Sequence, residues 1–139
     1  MRKLTLIFIF IFISALGLKA QKIPTYREVS VCEQEGMANN FGFKVMGEQK
    51  YLSSIKNFEK DFMKINNRYP DYYRVYTIIG NVKSFTFYVS LIPKELVSEE
   101  DKKRKEFRVF GDKRTLRVSY DLKTKKISKP KPSMILYDI

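Results

Sequence analysis

The sequence predicts an α+β domain in which one main amphipathic helix, about residues 48–67, packs on an antiparallel sheet of four to five strands. Three observations carry that expectation. Leu52, Ile55, Phe58 (or Glu59), Phe62, Ile65 and Tyr69 recur at spacings of three and four, which gives a helix one apolar stripe. The stretch "YYRVYTIIGNVKSFTFYVSLI" holds two β-branched and aromatic runs separated by a turn dipeptide. Strand-like runs then follow one another without further long helices between them, which excludes a parallel α/β fold.

Taken in order, the chain opens with "MRKLTLIFIFIFISALGLKAQ". Arg2 and Lys3 precede an apolar run from Leu4 to Leu16, which is 13 residues. That length lies within the roughly 7–15 residues of a signal-peptide core and below the roughly 20 needed to span a bilayer. Residues 1–20 are therefore expected to be a signal peptide, cleaved after Ala20 or, by the small-residue rule, after Gly17. Residues 21–139 then form one exported α+β domain with no transmembrane segment. Its single cysteine, Cys32, cannot make an internal disulfide and is read first as a small buried hydrophobe, with an intermolecular bridge as the sharper alternative.

From residue 25 to 40, "TYREVSVCEQEGMANN" reads as a short helix or an edge strand, and "FGFKV" as a brief strand. The main helix follows, with Gly47 before it and Pro70 after it. Lys56, Lys60 and Lys64 share its wet face. The hairpin comes next, with Gly80-Asn81 as a tight two-residue turn, so that Ile79 would face Val82. One face then carries Tyr72, Tyr76 and Ile78 with Phe85, Phe87 and Val89, and is expected to cover the helix. Arg74 falls on the same face, opposite Phe87, with its stem packed and its guanidinium at the rim. The other face carries Tyr73, Val75 and Thr77 with Ser84, Thr86 and Tyr88. "PKELVSEEDKKRKEF" is a short helix or a solvated loop whose acid-to-base order suits a helix dipole. "FRVF" and "TLRVSYDL" alternate as a second hairpin turning at Gly111-Asp112-Lys113. "DLKTKKI" is a tight turn, Lys-Pro-Lys-Pro at 129–132 an edge or extended linker, and "MILYDI" a last strand.

Charge is distributed unevenly. Residues 21–101 hold 11 basic and 11 acidic side chains, whereas residues 102–131 hold 13 basic and three acidic. The excess belongs to the second hairpin and its flanks. Lys102, Lys103, Arg104, Lys105, Arg108, Lys113, Arg114 and Arg117 are the candidates for a basic surface that meets an anionic partner. A solvated face that keeps the domain soluble is the plainer reading of the same residues.

Several chemistries are excluded. The chain has no histidine, which removes Ser-His-Asp and Cys-His catalysis and the commonest zinc ligand. A lone cysteine makes no thiolate metal site, and its six glycines form no phosphate loop. Ser53-Ser54-Ile55-Lys56 matches S-x-x-K, and Lys123-Thr124-Lys125 approximates K-T-G, but lysine replaces the required glycine and no S-D-N element exists. The acidic groups Glu33/Glu35 and Glu99/Glu100/Asp101 are read as surface acids. No catalytic, cofactor or metal residue is expected.

"NRYPDYY" followed by "GNVKSFTFYV" is similar to the C-terminal domain of TonB-like periplasmic proteins, where a Tyr-Pro after a helix precedes a Gly-x-Val strand. That domain's later helix is missing or shrunken here. "YDLKTKKI" resembles the closing turn of small PepSY-type exported domains. Both resemblances imply an exported, non-enzymatic α+β module, and neither carries a functional residue across. The expected function is a binding module of the envelope or the secreted space, using a basic sheet face. Its expected partner is an envelope protein or an anionic polymer or lipid surface rather than nucleic acid. A small secreted enzyme or enzyme inhibitor acting on an extracellular polymer is the alternative.

Overall fold

The computed structural model describes residues 26–65, 69–81, 83–104 and 112–133. The expected signal peptide, the "FRVF" and "MILYDI" strands, Gly111, Lys105 and Arg108 lie outside the described residues. The fold is α+β, with one long helix against a six-stranded sheet rather than four or five strands. Strand order follows the chain from β1 to β6. All neighbours are antiparallel except β2 and β3, which run parallel.

Of the two readings of residues 25–40 the structure takes the edge strand, and the element after it corrects the sequence expectation. Tyr26–Val31 (β1) and Gln34–Asn39 (β2) form a hairpin around Cys32 and Glu33, whose φ angles are 51° and 64°. Two successive left-handed residues match the twist of the flanking strands, so a two-residue turn closes here without glycine. "FGFKV" lies in a helix, Asn40–Met46 (α1), not a strand. Its alternation misleads because Phe41 and Val45 are 46% and 41% exposed, leaving Phe43 as its buried apolar side chain.

Gly47, at φ 81°, separates α1 from Glu48–Ile65 (α2). This long helix begins as predicted. It buries Tyr51, Ile55, Phe58, Glu59 and Phe62, so the stripe is centred one residue away from Leu52, and Ile65 is 59% exposed. The crossover through α1 and α2 returns the chain parallel to β2, as Tyr72–Asn81 (β3). Asn39 continues the β2–β3 ladder with its side chain: Oδ1 accepts from the Ile78 N–H at 3.2 Å and Nδ2 donates to the Ile78 carbonyl at 3.3 Å. The Tyr51 hydroxyl donates to the same Oδ1, tying α2 to the sheet.

Ser84–Pro93 (β4) pairs with β3 along its whole length, with Asn81 opposite Ser84. Its last pair is therefore Asn81 with Ser84 rather than Ile79 with Val82, and Arg74 sits opposite Leu91 instead of Phe87. The expected register is shifted by four residues along β4. An even shift keeps each side chain on its face, so Tyr76, Ile78, Phe87 and Val89 do cover α2. With Ile55, Phe58, Phe62, Val118 and Tyr120 they form the main core.

Arg74 is the larger correction. Its guanidinium does not reach the rim; the side chain is fully buried and faces Glu59, also fully buried. Nε donates to Glu59 Oε1 at 3.2 Å, and Nη1 donates to the carbonyls of Tyr69 and Tyr72, each at 2.7 Å. The Tyr76 hydroxyl donates to the same carboxylate oxygen. Gly36 lies beside Arg74 in the register, and a Cβ there would stand 2.4 Å from the Arg74 carbonyl oxygen.

The other face of the sheet is covered as well. Tyr26, Met37, Tyr73, Val75 and Ile92 make a second cluster, closed by Leu96 and Val97 of the connector. That connector is a 3₁₀ turn, Lys94–Leu96, and a short helix, Glu99–Arg104 (α3). Ser98 starts α3 with a reciprocal cap: Ser98 Oγ accepts from the Asp101 N–H, and Asp101 Oδ2 accepts from the Ser98 N–H. Leu116–Asp121 (β5) buries Val118 and Tyr120 toward α2, as its alternation predicts. Lys131–Pro132 (β6) is a two-residue edge strand.

Candidate functional site

The basic residues singled out by sequence do not converge on one anion site. Lys102 extends over the Tyr73 ring, 5.6 Å from its centroid, with Glu99 at 3.0 Å and Glu35 at 3.7 Å. Its pKa is raised, first by the hydrogen bond to Glu99. Arg114 is held by Asp112 at 2.8 Å and by Glu95, and the Arg114 hydrogen bonds keep the Asp112 carboxyl below its usual range. Arg117 stacks 5.6 Å from the Tyr88 ring centroid on the face away from α2. Lys103 and Lys113 are exposed, and Arg104 ends α3. Two of the strongest candidate cations, Lys102 and Arg114, thus already hold carboxylates of the chain itself.

The expected aromatic face is also altered. Tyr73, placed by sequence on the face away from the main helix, is 2% exposed beneath the connector. Its phenol is pushed well up, first by burial and then by the charges of Glu28, Glu35 and Glu99.

Among the described residues two grooves lie elsewhere, beside β1. This strand ends the sheet and pairs with β2 alone among the described residues. Successive side chains of a strand point to opposite faces, and Glu28, Val29 and Ser30 border both grooves. Arg27, Val29 and Val31 line a groove of about 680 Å³ shared with Phe43, Glu48, Leu52, Ser53 and Lys56. Val29, Val31, Phe43 and Leu52 supply its apolar lining, while Arg27, Glu28, Glu48 and Lys56 contribute charge and Ser30, Cys32 and Ser53 complete it. Arg27 is fixed there, 4.3 Å above the Phe43 ring centroid and donating to Asn40 Oδ1 at 3.1 Å. On the other face a second groove of about 390 Å³ is lined by Glu28, Ser30, Glu35, Tyr73, Glu99 and Lys102.

This arrangement can hold an extended segment. An edge strand offers a row of backbone donors and acceptors, and flanking grooves take alternate side chains of whatever pairs with it. Acid–base work is less well served. Glu35 and Glu99, drawn from the two acidic groups seen in the sequence, meet only through Lys102, and both are widely exposed. The fully buried acid, Glu59, lies in the core with Arg74 and lines neither groove. Ser53 and Lys56 both line the larger groove, but Lys123-Thr124-Lys125 sits in the turn after β5, toward the opposite sheet edge. No group of three or more His, Cys, Asp or Glu side chains able to hold a metal occurs among the described residues. No described helix is long and apolar enough to cross a membrane.

Comparison with protein-family models, with curated proteins and with solved structures returned no match. The site therefore stands on its own geometry. Sequence reasoning missed β1 as its centre, although "YREVSV" alternates cleanly. A Cys-Glu turn gives none of the Gly or Asn signals that mark a hairpin.

Proposed function

We propose that the protein is an exported binding module that takes an extended segment of a partner protein along the β1 edge. The observation that supports this reading is the pair of grooves flanking one edge strand, the larger of them lined by Val29, Val31, Phe43 and Leu52. Main-chain bonds along β1 supply affinity, and the grooves select alternate side chains of the partner. Export rests on the positively charged and then apolar residues 2–16. The basic hairpin contributes less to this reading than sequence implied, because Lys102 and Arg114 are engaged within the chain.

In-cell photo-crosslinking tests the reading. A photoreactive residue at Ser30 or Lys56 is expected to trap one discrete protein adduct, and the same group at Lys113 to trap none. Equal yields at all three positions would remove the β1 edge as the binding surface.

A further inference from the structure

Lys123, Lys125, Lys126, Lys129 and Lys131 follow one another along the β5–β6 connection and the β6 edge, and all five are exposed. Among the described residues none of them has a carboxylate within ion-pair distance. Asp121, the carboxylate in the same segment, is committed to the turn: its Oδ1 accepts from the N–H groups of Lys123 and Thr124, each at 2.8 Å. Asp61, which approaches from α2, accepts from the Tyr120 hydroxyl and pairs with Lys64. Lys125 lies 5.8 Å from the Tyr120 ring centroid, at the α2 side of this edge. Lys131 sits opposite Arg117, at its other side. The positive charge thus runs along an edge and does not converge on a cavity.

Two features narrow the partner. Pro130 and Pro132 remove backbone donors from this edge, so it cannot extend the sheet by a further strand as β1 can. Contact must be made by side chains. Those side chains are lysines, compact hydrated charges without the fork that grips a single phosphate or carboxylate. Such a row suits a dense, diffuse anionic surface, where attraction adds charge by charge.

We propose that this lysine edge docks the protein on an anionic phospholipid surface. It uses residues remote from β1 and does not depend on that strand's role. Six strands at the usual spacing put the two sheet edges ~24 Å apart, so docking through β6 leaves β1 turned toward a partner.

The test is co-sedimentation of the protein, purified as the cell delivers it, with two kinds of vesicle. One is phosphatidylcholine alone, and the other equal parts of phosphatidylcholine and phosphatidylglycerol. Any contribution of the apolar residues 4–16 is common to both. Binding to the anionic vesicles is expected to be stronger by ~100-fold or more and to fall steeply as salt shortens the screening length. Each single Lys→Gln change at the five positions weakens it by roughly fivefold. All five together reduce it to the neutral-vesicle level, and five Lys→Arg changes preserve it. Lys113→Gln leaves it unaltered. Equal binding to the two vesicle types would overturn the proposal. So would anionic binding that survives the single and combined Gln changes. Salt-sensitive retention on heparin without vesicle binding would also overturn it and assign the edge to an acidic polysaccharide.

Discussion

Arg74 and Glu59 meet in the middle of the core, Nε to Oε1 at 3.2 Å, with neither side chain exposed to solvent. The pair joins α2 to β3, and Nη1 of the guanidinium donates to the carbonyls of Tyr69 and Tyr72. Removing one partner leaves the other charged, buried and unmatched. Arg74→Met alone and Glu59→Leu alone are each expected to cost about 3–5 kcal/mol in chemical denaturation. Combined, they are expected to cost much less than the two single changes added together. Additive losses would show that the two residues do not form one unit.

Alkaline pH should destabilise the fold through its buried phenols. Burial raises the pKa of Tyr51, Tyr73, Tyr76 and Tyr120, and Glu59 and Asp61 add to it at Tyr76 and Tyr120 respectively. In the unfolded chain these groups lose their protons near the ordinary value of 10.0. Above that pH the unfolded state binds fewer protons than the folded state, so stability falls as pH rises. The denaturation midpoint should hold steady up to about pH 9 and then drop. Tyr120→Phe should make the drop shallower, and an unchanged slope would contradict the assignment.

The first hairpin turns on residues poorly suited to its backbone. Cys32 and Glu33 both hold positive φ, a conformation that asparagine and glycine adopt at lower cost. Cys32→Asn with Glu33→Gly is expected to raise stability by about 1–2 kcal/mol. Because Cys32 lies at this turn and is half-exposed, its thiol should react with a soluble disulfide reagent without denaturant. A thiol that reacts only on unfolding would place it in the core, as the residue type alone suggests.

Two glycines, Gly80 near the end of β3 and Gly47 between α1 and α2, set a contrast. Gly80 has φ 123°, and a Cβ there would meet the Ser84 carbonyl oxygen at 2.2 Å. Gly47 has φ 81° but nothing within 4 Å of that position. Gly47→Ala should cost about 1–2 kcal/mol for conformation alone, and Gly80→Ala clearly more. Equal losses would indicate that Gly80 does not approach Ser84 as closely as this register requires.

Local pattern accounts for what could be read from sequence. The α2 period survives in the structure because Ile55, Phe58 and Phe62 lie on the stripe that the sheet covers. The β3 and β4 faces are right although the register is not, since a shift of four residues preserves alternation. Long-range partners were not legible. Nothing adjacent to Arg74 in sequence announces Glu59, fifteen residues earlier on another element. Tyr73 looked free because the connector that covers it is mostly charged, with Leu96 and Val97 supplying the apolar cover. The site was missed for a related reason: the two faces of β1 are completed by α2 on one side and by Tyr73, Glu99 and Lys102 on the other, which only the crossover brings together.

Amide hydrogen exchange on the protein with the partner recovered through the Ser30 crosslink tests the central claim most directly. Partner binding should slow exchange in Tyr26–Val31, with smaller effects at Leu52–Lys56, and leave Leu116–Asp121 unchanged. Protection confined to Leu116–Asp121 and the β6 edge, with β1 exchanging as in the free protein, would contradict the account.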